Sequence, residues 1–193
     1  VAATREIEWW MGLDSLRRAL DDDKGVFLVV PAEGGPANPM TVSWGQIGFV
    51  WSRPIFTVFV RRSRYTYGCL RAADSFTINV PGDGELVEAL SVCGTKSGRV
   101  LDKLAACSLH ARPGVRVAAA YLTDCALHYE CRIVARKQLI LPDDIASADV
   151  LKEHYAKDDP HLLVLGEIVG TYLHDGTGSD KRGERRASQR HAA

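Results

Sequence analysis

A chain of 193 residues can bury one good hydrophobic core but is short for two, so a single domain with appended pieces is expected. At 46% hydrophobic and 25% charged residues, the composition excludes disordered, collagen-like and disulfide-stapled chains. Lys plus Arg and Asp plus Glu both number 24, so no global field attracts nucleic acid, anionic lipid or acidic substrates, and a charged ligand has to be held locally.

In chain order, Leu13, Leu16 and Leu20 stand at helical spacing, with Asp14 as N-cap and Gly25 as stop, and predict a short amphipathic entry helix. GVFLVVP (Gly25 to Pro31) is a β-branched and aromatic run. TVSWGQIGFVW (Thr41 to Trp51) resumes it after AEGGPANP, so the two runs read as a hairpin with a long polar turn. IFTVFV (Ile55 to Val60) is apolar enough to be buried on both faces, and SFTINVP (Ser75 to Pro81) follows a short helix in TYGCLRAA.

Gly84 to Leu90 and Val100 to Ala106 predict two short helices around the Gly-rich stretch CGTKSGR. In ALHYECRIV (Ala126 to Val134), Leu127, Tyr129, Cys131 and Ile133 alternate with His128, Glu130 and Arg132, the period-two pattern of a strand with one wet face. Ser147 caps a helix to about Tyr155, and HLLVLGEIVGTYLHD (His161 to Asp175) is a long strand with Gly166 and Gly170 as bulge points. The tail from Gly176 to Ala193 carries five basic and two acidic residues without an apolar face, and reads as a solvated or partner-draped segment rather than a nucleic-acid arm. Many strands with few, short helices point to a small β-barrel, a mainly β (α+β) chain rather than a doubly wound sheet.

The cysteines (Cys69, Cys93, Cys107, Cys125, Cys131) are scattered and form no C-x-x-C pair, which argues against a disulfide framework and a zinc site. No stretch approaches the ~20 apolar residues of a membrane span, and the start VAATREIEWW has no signal pattern, so a cytoplasmic setting without a membrane or nucleic-acid partner is expected.

Three segments combine flexible backbone, hydroxyls and positive charge: NPMTVSW (Asn38 to Trp44), RRSRYT (Arg61 to Thr66) and CGTKSGRVLDK (Cys93 to Lys103). In RRSRYT, hydroxyls, a helix start and arginines suit a phosphomonoester, and a solvated strand end with a capped helix is the plainer alternative. In the third segment, Gly94 and Gly98 allow close approach of a flat ligand, with Lys96, Ser97 and Lys103 as donors. The spacing misses the Walker A pattern, and no G-x-G-x-x-G follows a strand, which disfavours P-loop and Rossmann sites.

Six motifs in this order resemble the flavin reductase-like, or flavoredoxin-like, family of FMN-binding split β-barrels. They are N-x-M-T-x-S-W at Asn38 to Trp44, R-x-S-R-Y-T at Arg61 to Thr66, F-T-I-N-V-P at Phe76 to Pro81, S-G-R-x-x-D-K at Ser97 to Lys103, H-Y-E-C at His128 to Cys131 and L-G-E-I-V at Leu165 to Val169. The resemblance runs from about Val26 to Tyr172 and implies a six-stranded antiparallel split barrel that pairs as a homodimer with FMN at the interface; the chain is expected to divide into this barrel domain over 25–175 and, outside the resemblance, a helical extension (1–24) and the basic tail (176–193). By motif it nominates Asn38, Met40, Thr41 and Ser43 for the isoalloxazine and ribityl chain, and Arg61, Ser63, Arg64, Tyr65 and Thr66 for the phosphate. Cys93, Gly94, Lys96, Ser97 and Lys103 would approach the ring from the remaining side.

The implied activity is that of an NAD(P)H-dependent flavin oxidoreductase, with NADH or NADPH as reductant and an oxygenase or other acceptor as partner. The alternatives are a flavoredoxin-type electron carrier with tightly bound FMN, and a non-redox barrel for another phosphate ligand or haem. Flavin chemistry needs no protein nucleophile or metal; the protein positions the ring, donates a hydrogen bond near N5 from backbone around Thr41 or Gly94, and sets Lys96 or Lys103 near N1. No catalytic side chain is nominated. The histidines show no metal spacing, and His161 is weighed as a cavity-lining residue against the expectation of solvent exposure at a strand end. Asp102 is a candidate partner for Arg99 or Lys103.

Overall fold

The computed structural model describes residues 4–21, 24–32, 35–140, 142–157 and 159–174; the tail expected at 176–193 lies outside the described residues. Ten strands and five α-helices occur among them: β1 (Thr4–Glu6), α1 (Leu13–Asp21), β2 (Val26–Ala32), β3 (Gly35–Val42), β4 (Gly45–Val50), β5 (Arg53–Arg61), α2 (Tyr65–Ala72) and β6 (Ser75–Val80), then α3 (Val87–Thr95), α4 (Lys103–Ala106), β7 (Ala111–Arg112), β8 (Tyr121–Leu122), β9 (Leu127–Ile140), α5 (Ala148–His154) and β10 (His161–His174). The main sheet is antiparallel in the order β3-β2-β6-β9-β10-β5-β4, with β1 also paired to β10, while β7 and β8 form a separate ribbon.

β3 and β4 are the two ends of this path, yet only Ser43 and Trp44 separate them in sequence. A link of that length spans at most about 11 Å from Val42 to Gly45. The sheet therefore has to curl until its two edges meet, giving a barrel that stays open between β3 and β4.

The curl encloses one core. Val26, Leu28 and Val30 of β2, Val58 and Val60 of β5, Phe76 and Ile78 of β6, Leu127 and Tyr129 of β9, and Leu162 and Val164 of β10 meet there, together with Leu16 and Ala19 of α1 and Leu70 of α2. The N-terminal segment thus packs on the barrel and lends it a strand. The opposite face of β2, Phe27 and Val29, packs under α3 with Ala89, Leu90 and Cys93.

The structure is the split-barrel architecture expected, with five local corrections, the last of them on β9. The main sheet has eight strands instead of six, because β1 joins β10 and the run Thr41 to Trp51 divides between two strands. The long polar turn is short: β3 already pairs at Asn38 and Pro39, opposite Val30 and Val29. Proline is tolerated there because β3 pairs only with β2, so one side of the strand needs no N–H donor. Asp14 is not an N-cap; it sits in the first turn of α1 and pairs with Arg17 and Arg18. The strands with every residue from Ser75 to Val80 and from Val26 to Val30 buried are β6 and β2, whereas Thr57 and Phe59 of β5 are only half-buried. Ser147 does cap α5, accepting from Val150 N at 3.3 Å, and the register of β10 shifts at Gly166 and before Gly170 as bulges require.

The expected wet face of β9 is dry over its first half: His128 and Glu130 are fully buried, and of the three residues expected on that face only Arg132 reaches solvent. The segment between β7 and β8 closes over them. Glu130 accepts from the backbone N–H groups of Val115 and Arg116, both at 2.6 Å, and Tyr121 stacks on His128 with centroids 4.1 Å apart. His128 Nδ1 lies 2.7 Å from His174 Nε2, and His128 Nε2 is 3.5 Å from Glu130 Oε1, an ion-pair distance rather than a good hydrogen bond. Burial would raise the Glu130 carboxyl, but His128 and the two backbone donors outweigh it and hold the group below its ordinary value.

A methyl group at Gly166 would lie 2.6 Å from the Phe76 ring and 2.8 Å from Cys131 Cβ. Both neighbours are fully buried and cannot swing aside. Gly166→Ala is expected to cost about 1–3 kcal/mol, read as a lower urea midpoint at unchanged m-value.

Candidate functional site

Three clefts adjoin where β3, the start of α2 and the α3–α4 connection approach one another. The first, about 250 Å³, is lined by Met40 to Trp44 with Phe59, Arg61, Arg64 and His161. The middle cleft, about 150 Å³, gathers Arg64, Lys96, Arg99 and Lys103 with Ser63, Thr95 and Ser97. The third, about 290 Å³, runs from Asn38 and Tyr65 to Leu101 and Asp102. Met40 and Arg64 line both the first and the middle cleft, and Tyr65, Gly98, Arg99 and Lys103 line both the middle and the third. The clefts therefore form one groove.

The alternation of β5 buries Val58 and Val60 and leaves Phe59 and Arg61 on the groove side. Arg61 donates to the carbonyls of Asp159 and His154, both at 2.9 Å, and its guanidinium lies 5.9 Å from the Trp44 ring. Ser63 donates from N and Oγ to the Asp159 carboxylate at 3.0 and 2.7 Å. These two residues thus tie the strand end to the segment that leads into β10. Arg64 is the N-cap of α2, where its side chain offers no acceptor to the first turn; it reaches instead to the Gly94 carbonyl at 3.0 Å.

The opposite wall is set by a buried cation. Lys103 donates to Pro39 O at 2.8 Å and Cys93 O at 3.2 Å, bracketing β3 to the end of α3. Burial, with Arg64 nearby, lowers its pKa from the ordinary lysine value against the pull of Cys93. The Cys93 thiol is pushed up to about 12 by burial first and Cys107 second, so it remains protonated and unreactive. Thr41 donates to Leu90 O at 2.6 Å, and Asn38 donates to the buried Thr66 hydroxyl at 2.9 Å. Gly98 has to be glycine: a Cβ there would lie 2.3 Å from Asn38 Oδ1 and 2.9 Å from the Tyr65 ring.

The groove thus brings together Asn38, Met40, Thr41, Ser43, Arg61, Ser63, Arg64, Tyr65, Cys93, Lys96, Ser97 and Lys103 as lining residues. Thr66 stands behind Asn38, and Gly94 holds Arg64 through its carbonyl. Ser43 is exposed and bonds the Lys24 carbonyl at 3.2 Å. His161 is buried and lines the first cleft, against the solvent exposure expected of it, because Tyr155 and Trp44 cover the strand end. Asp102 caps α4 through Oδ1 rather than pairing with Arg99 or Lys103. Phe59 and Arg99 join the lining without having been nominated; Arg99, inside the S-G-R motif, was the more accessible of the two to sequence reasoning. A larger apolar hollow, about 490 Å³, lies elsewhere, between α1 and β4.

The sequence profile of the flavin reductase like domain matches residues 23–187. The chain belongs to the flavin reductase-like family. Among solved structures, the flavoredoxin from Methanosarcina acetivorans is 24% identical over 78% of this chain and 68% of its own, with a TM-score of 0.62. The flavoredoxin of Desulfovibrio vulgaris (Miyazaki F) is 21% identical over 81% and 76%, also with a TM-score of 0.62. Nitrilotriacetate monooxygenase component B from Bacillus cereus is 13% identical over 81% and 72%, with a TM-score of 0.59. No curated protein matches the chain. At these identities the structural likeness carries the fold. Among the described residues of this flavin reductase-like chain no helix is long and apolar enough to cross a membrane, and no group of three or more metal-ligating side chains occurs.

His161 bonds the Tyr155 hydroxyl through Nδ1 at 2.9 Å, and burial, with Arg61 and His154 nearby, pushes its pKa down to about 4 despite Asp159. Burial and the adjacent His128 push His174 down to about 4 as well. In the unfolded chain both rings take up protons near pH ~6.5, whereas the folded protein resists until about 4, so both stabilise the fold fully above pH ~6.5 and lose that contribution as pH falls toward 4. Urea midpoints measured from pH 7.5 to 4.5 are expected to fall steadily below pH ~6.5, and less steeply in His161→Gln.

Proposed function

We propose that the groove binds FMN and that the chain is an NAD(P)H-dependent flavin oxidoreductase that hands electrons to a partner or small acceptor. One observation carries this reading. The middle cleft gathers Arg64, Lys96, Arg99 and Lys103 and, among the described residues, no carboxylate, in a chain whose net charge is zero. Such a local excess of cations with three hydroxyls and guanidinium forks matches a dianionic phosphomonoester. The donor set fits FMN: Arg64, Lys96, Ser97 and Arg99 would hold the phosphate, and the end of β3 from Met40 to Val42 with Ser43 after it would flank the flavin ring in the first cleft.

Bound flavin supplies two-electron redox chemistry that the protein's own side chains lack. The chain's residues position and polarise it. Lys103 and Thr41 fix β3 against α3, so the strand keeps its place when a ligand enters. His161, neutral at pH 7, together with Trp44 and Phe59 gives the first cleft an aromatic wall on which a nicotinamide can be seated.

Homodimerisation belongs to the same reading. β4 is a sheet edge; Phe49 in it, 64% exposed, meets Trp9, which in turn meets Trp10 at 53% exposure, and Trp51 just past the strand is also 64% exposed, apolar surface that a second copy would cover. The structural neighbour named as a monooxygenase component supports an oxygenase as acceptor, and the two named flavoredoxins support the carrier alternative. Anaerobic stopped flow separates them: bleaching of the oxidised flavin band by NADH or NADPH is expected, and its absence with both would favour the carrier. A purified protein that neither retains nor binds flavin would return the reading to a non-redox phosphate or haem site.

Arg64→Ala is expected to weaken FMN binding about ten- to a hundredfold, the scale of one charge-assisted hydrogen bond, and to leave riboflavin nearly unaffected. Fluorescence titrations at two salt concentrations check both arms. Equal losses for the two flavins would assign Arg64 to the packing of the Gly94 turn.

A further inference from the structure

The register of β5 and β10 sets His161 directly opposite Arg61, so the two side chains stand on one face of the sheet, and Phe59, two residues before Arg61, joins them. These three, with Trp44 of the link, make a wall of the first cleft separate from β3, the strand given above to the flavin ring. The Trp44 ring lies 5.2 Å from the His161 ring and 5.9 Å from the Arg61 guanidinium, which is also 5.8 Å from the Tyr155 ring. Arg61 is thus fixed by two aromatic rings and by its bonds to the Asp159 and His154 carbonyls, and those two bonds do not exhaust its N–H donors.

Nothing on this wall cancels the charge. Among the described residues no Asp or Glu lines the first cleft, and His161, whose Nδ1 is engaged by the Tyr155 hydroxyl, is neutral at pH 7. An oxidised nicotinamide ring is a cation and is repelled by such a wall, whereas an anion of the same flat shape is retained. A carboxylate meets a guanidinium in two parallel hydrogen bonds, and a ring carrying it can lie along Trp44, Phe59 and His161. Arg64, the other cation of this cleft, is held by the Gly94 carbonyl and also lines the middle cleft.

We propose that the wall of Phe59, Arg61 and His161 is a binding site for a small aromatic carboxylate, its ring on the aromatic side chains and its carboxylate on Arg61. The site uses none of the residues given to the FMN phosphate, so the acid and FMN bind together. It rests on the flavin reading in one respect, that it gives the small acceptor of that reading a chemical class.

Benzoate, its neutral isostere benzamide, the cation 1-methylnicotinamide and the ringless acetate are titrated by calorimetry into flavin-free wild type, Arg61→Gln, Arg61→Lys and Arg64→Ala, and benzoate into FMN-loaded wild type. Wild type is expected to bind benzoate about ten- to a hundredfold more tightly than benzamide, the scale of one charge-assisted hydrogen bond, with 1-methylnicotinamide and acetate each at least about tenfold weaker than benzoate. In Arg61→Gln the preference for benzoate should vanish while benzamide and FMN affinities stay within about twofold, and in Arg64→Ala it should persist. Arg61 also ties β5 to the segment before β10. If Arg61→Gln does not fold, Arg61→Lys decides, because it keeps the charge and loses the fork: a loss for benzoate alone supports the site, and no selective loss overturns it. Equal binding of benzoate and benzamide by wild type, acetate as good as benzoate, a preference that survives Arg61→Gln or is lost in Arg64→Ala, or displacement of FMN by benzoate also overturns it. FMN binding without benzoate binding overturns the site and leaves the flavin reading standing; benzoate binding without FMN binding does the reverse.

Discussion

The two-residue link between β3 and β4 governs this structure. Ser43 and Trp44 join strands at opposite ends of the main sheet, and that tether can be satisfied only if the sheet rolls on itself. The rolling creates the enclosed core shared by β2, β5, β6, β9 and β10. It also fixes where the barrel is open. The first cleft forms at that opening, lined by the link itself and by the last residues of β3, so one short connection is both the closure of the fold and a wall of the site.

Like charges crowded on one groove repel, and the usual remedy is a carboxylate. Here backbone carbonyls take that part: Pro39 and Cys93 hold Lys103, Gly94 holds Arg64, and His154 and Asp159 hold Arg61. A carbonyl dipole orients a cation without cancelling its charge. The groove therefore keeps a net positive field for an anion even though the chain as a whole is neutral. The same bonds stitch β3 to α3, α2 to α3, and β5 to the segment before β10, so the elements that carry the cations are also fixed by them.

The outer face of β9 shows a different use of buried polar groups. Glu130 is met by two backbone N–H donors from a segment that has almost no regular structure, and His128 is stacked between Tyr121 and Tyr172. These contacts pin the irregular stretch from 113 to 120 onto the sheet, a task that apolar packing alone would perform with less positional selectivity. It explains why the H-Y-E-C stretch alternates as if one side were wet and yet is dry on both.

The sequence by itself determined most of the strands, because apolar alternation and Gly and Pro punctuation are local properties: β5, β6, β10 and the Ser147 cap stand where their residues put them, and β9 starts where expected but runs on past Val134 to Ile140. Through six short motifs it also determined the family, and with it the segments that line the groove. Only the tertiary structure decided what depends on residues distant in the chain. That Pro36 and Pro39 sit in a strand follows from β3 being an edge, and edge position is a property of the whole sheet order. His161 is buried because Trp44 and Tyr155 reach it from other elements, and no pattern around His161 encodes them. Arg61 and Ser63 look like phosphate donors in RRSRYT, but Asp159, 96 residues beyond Ser63, engages both of them. A side chain's hydrogen-bond partner is set by which backbone arrives beside it after folding, so the sequence names the donors and the fold assigns them.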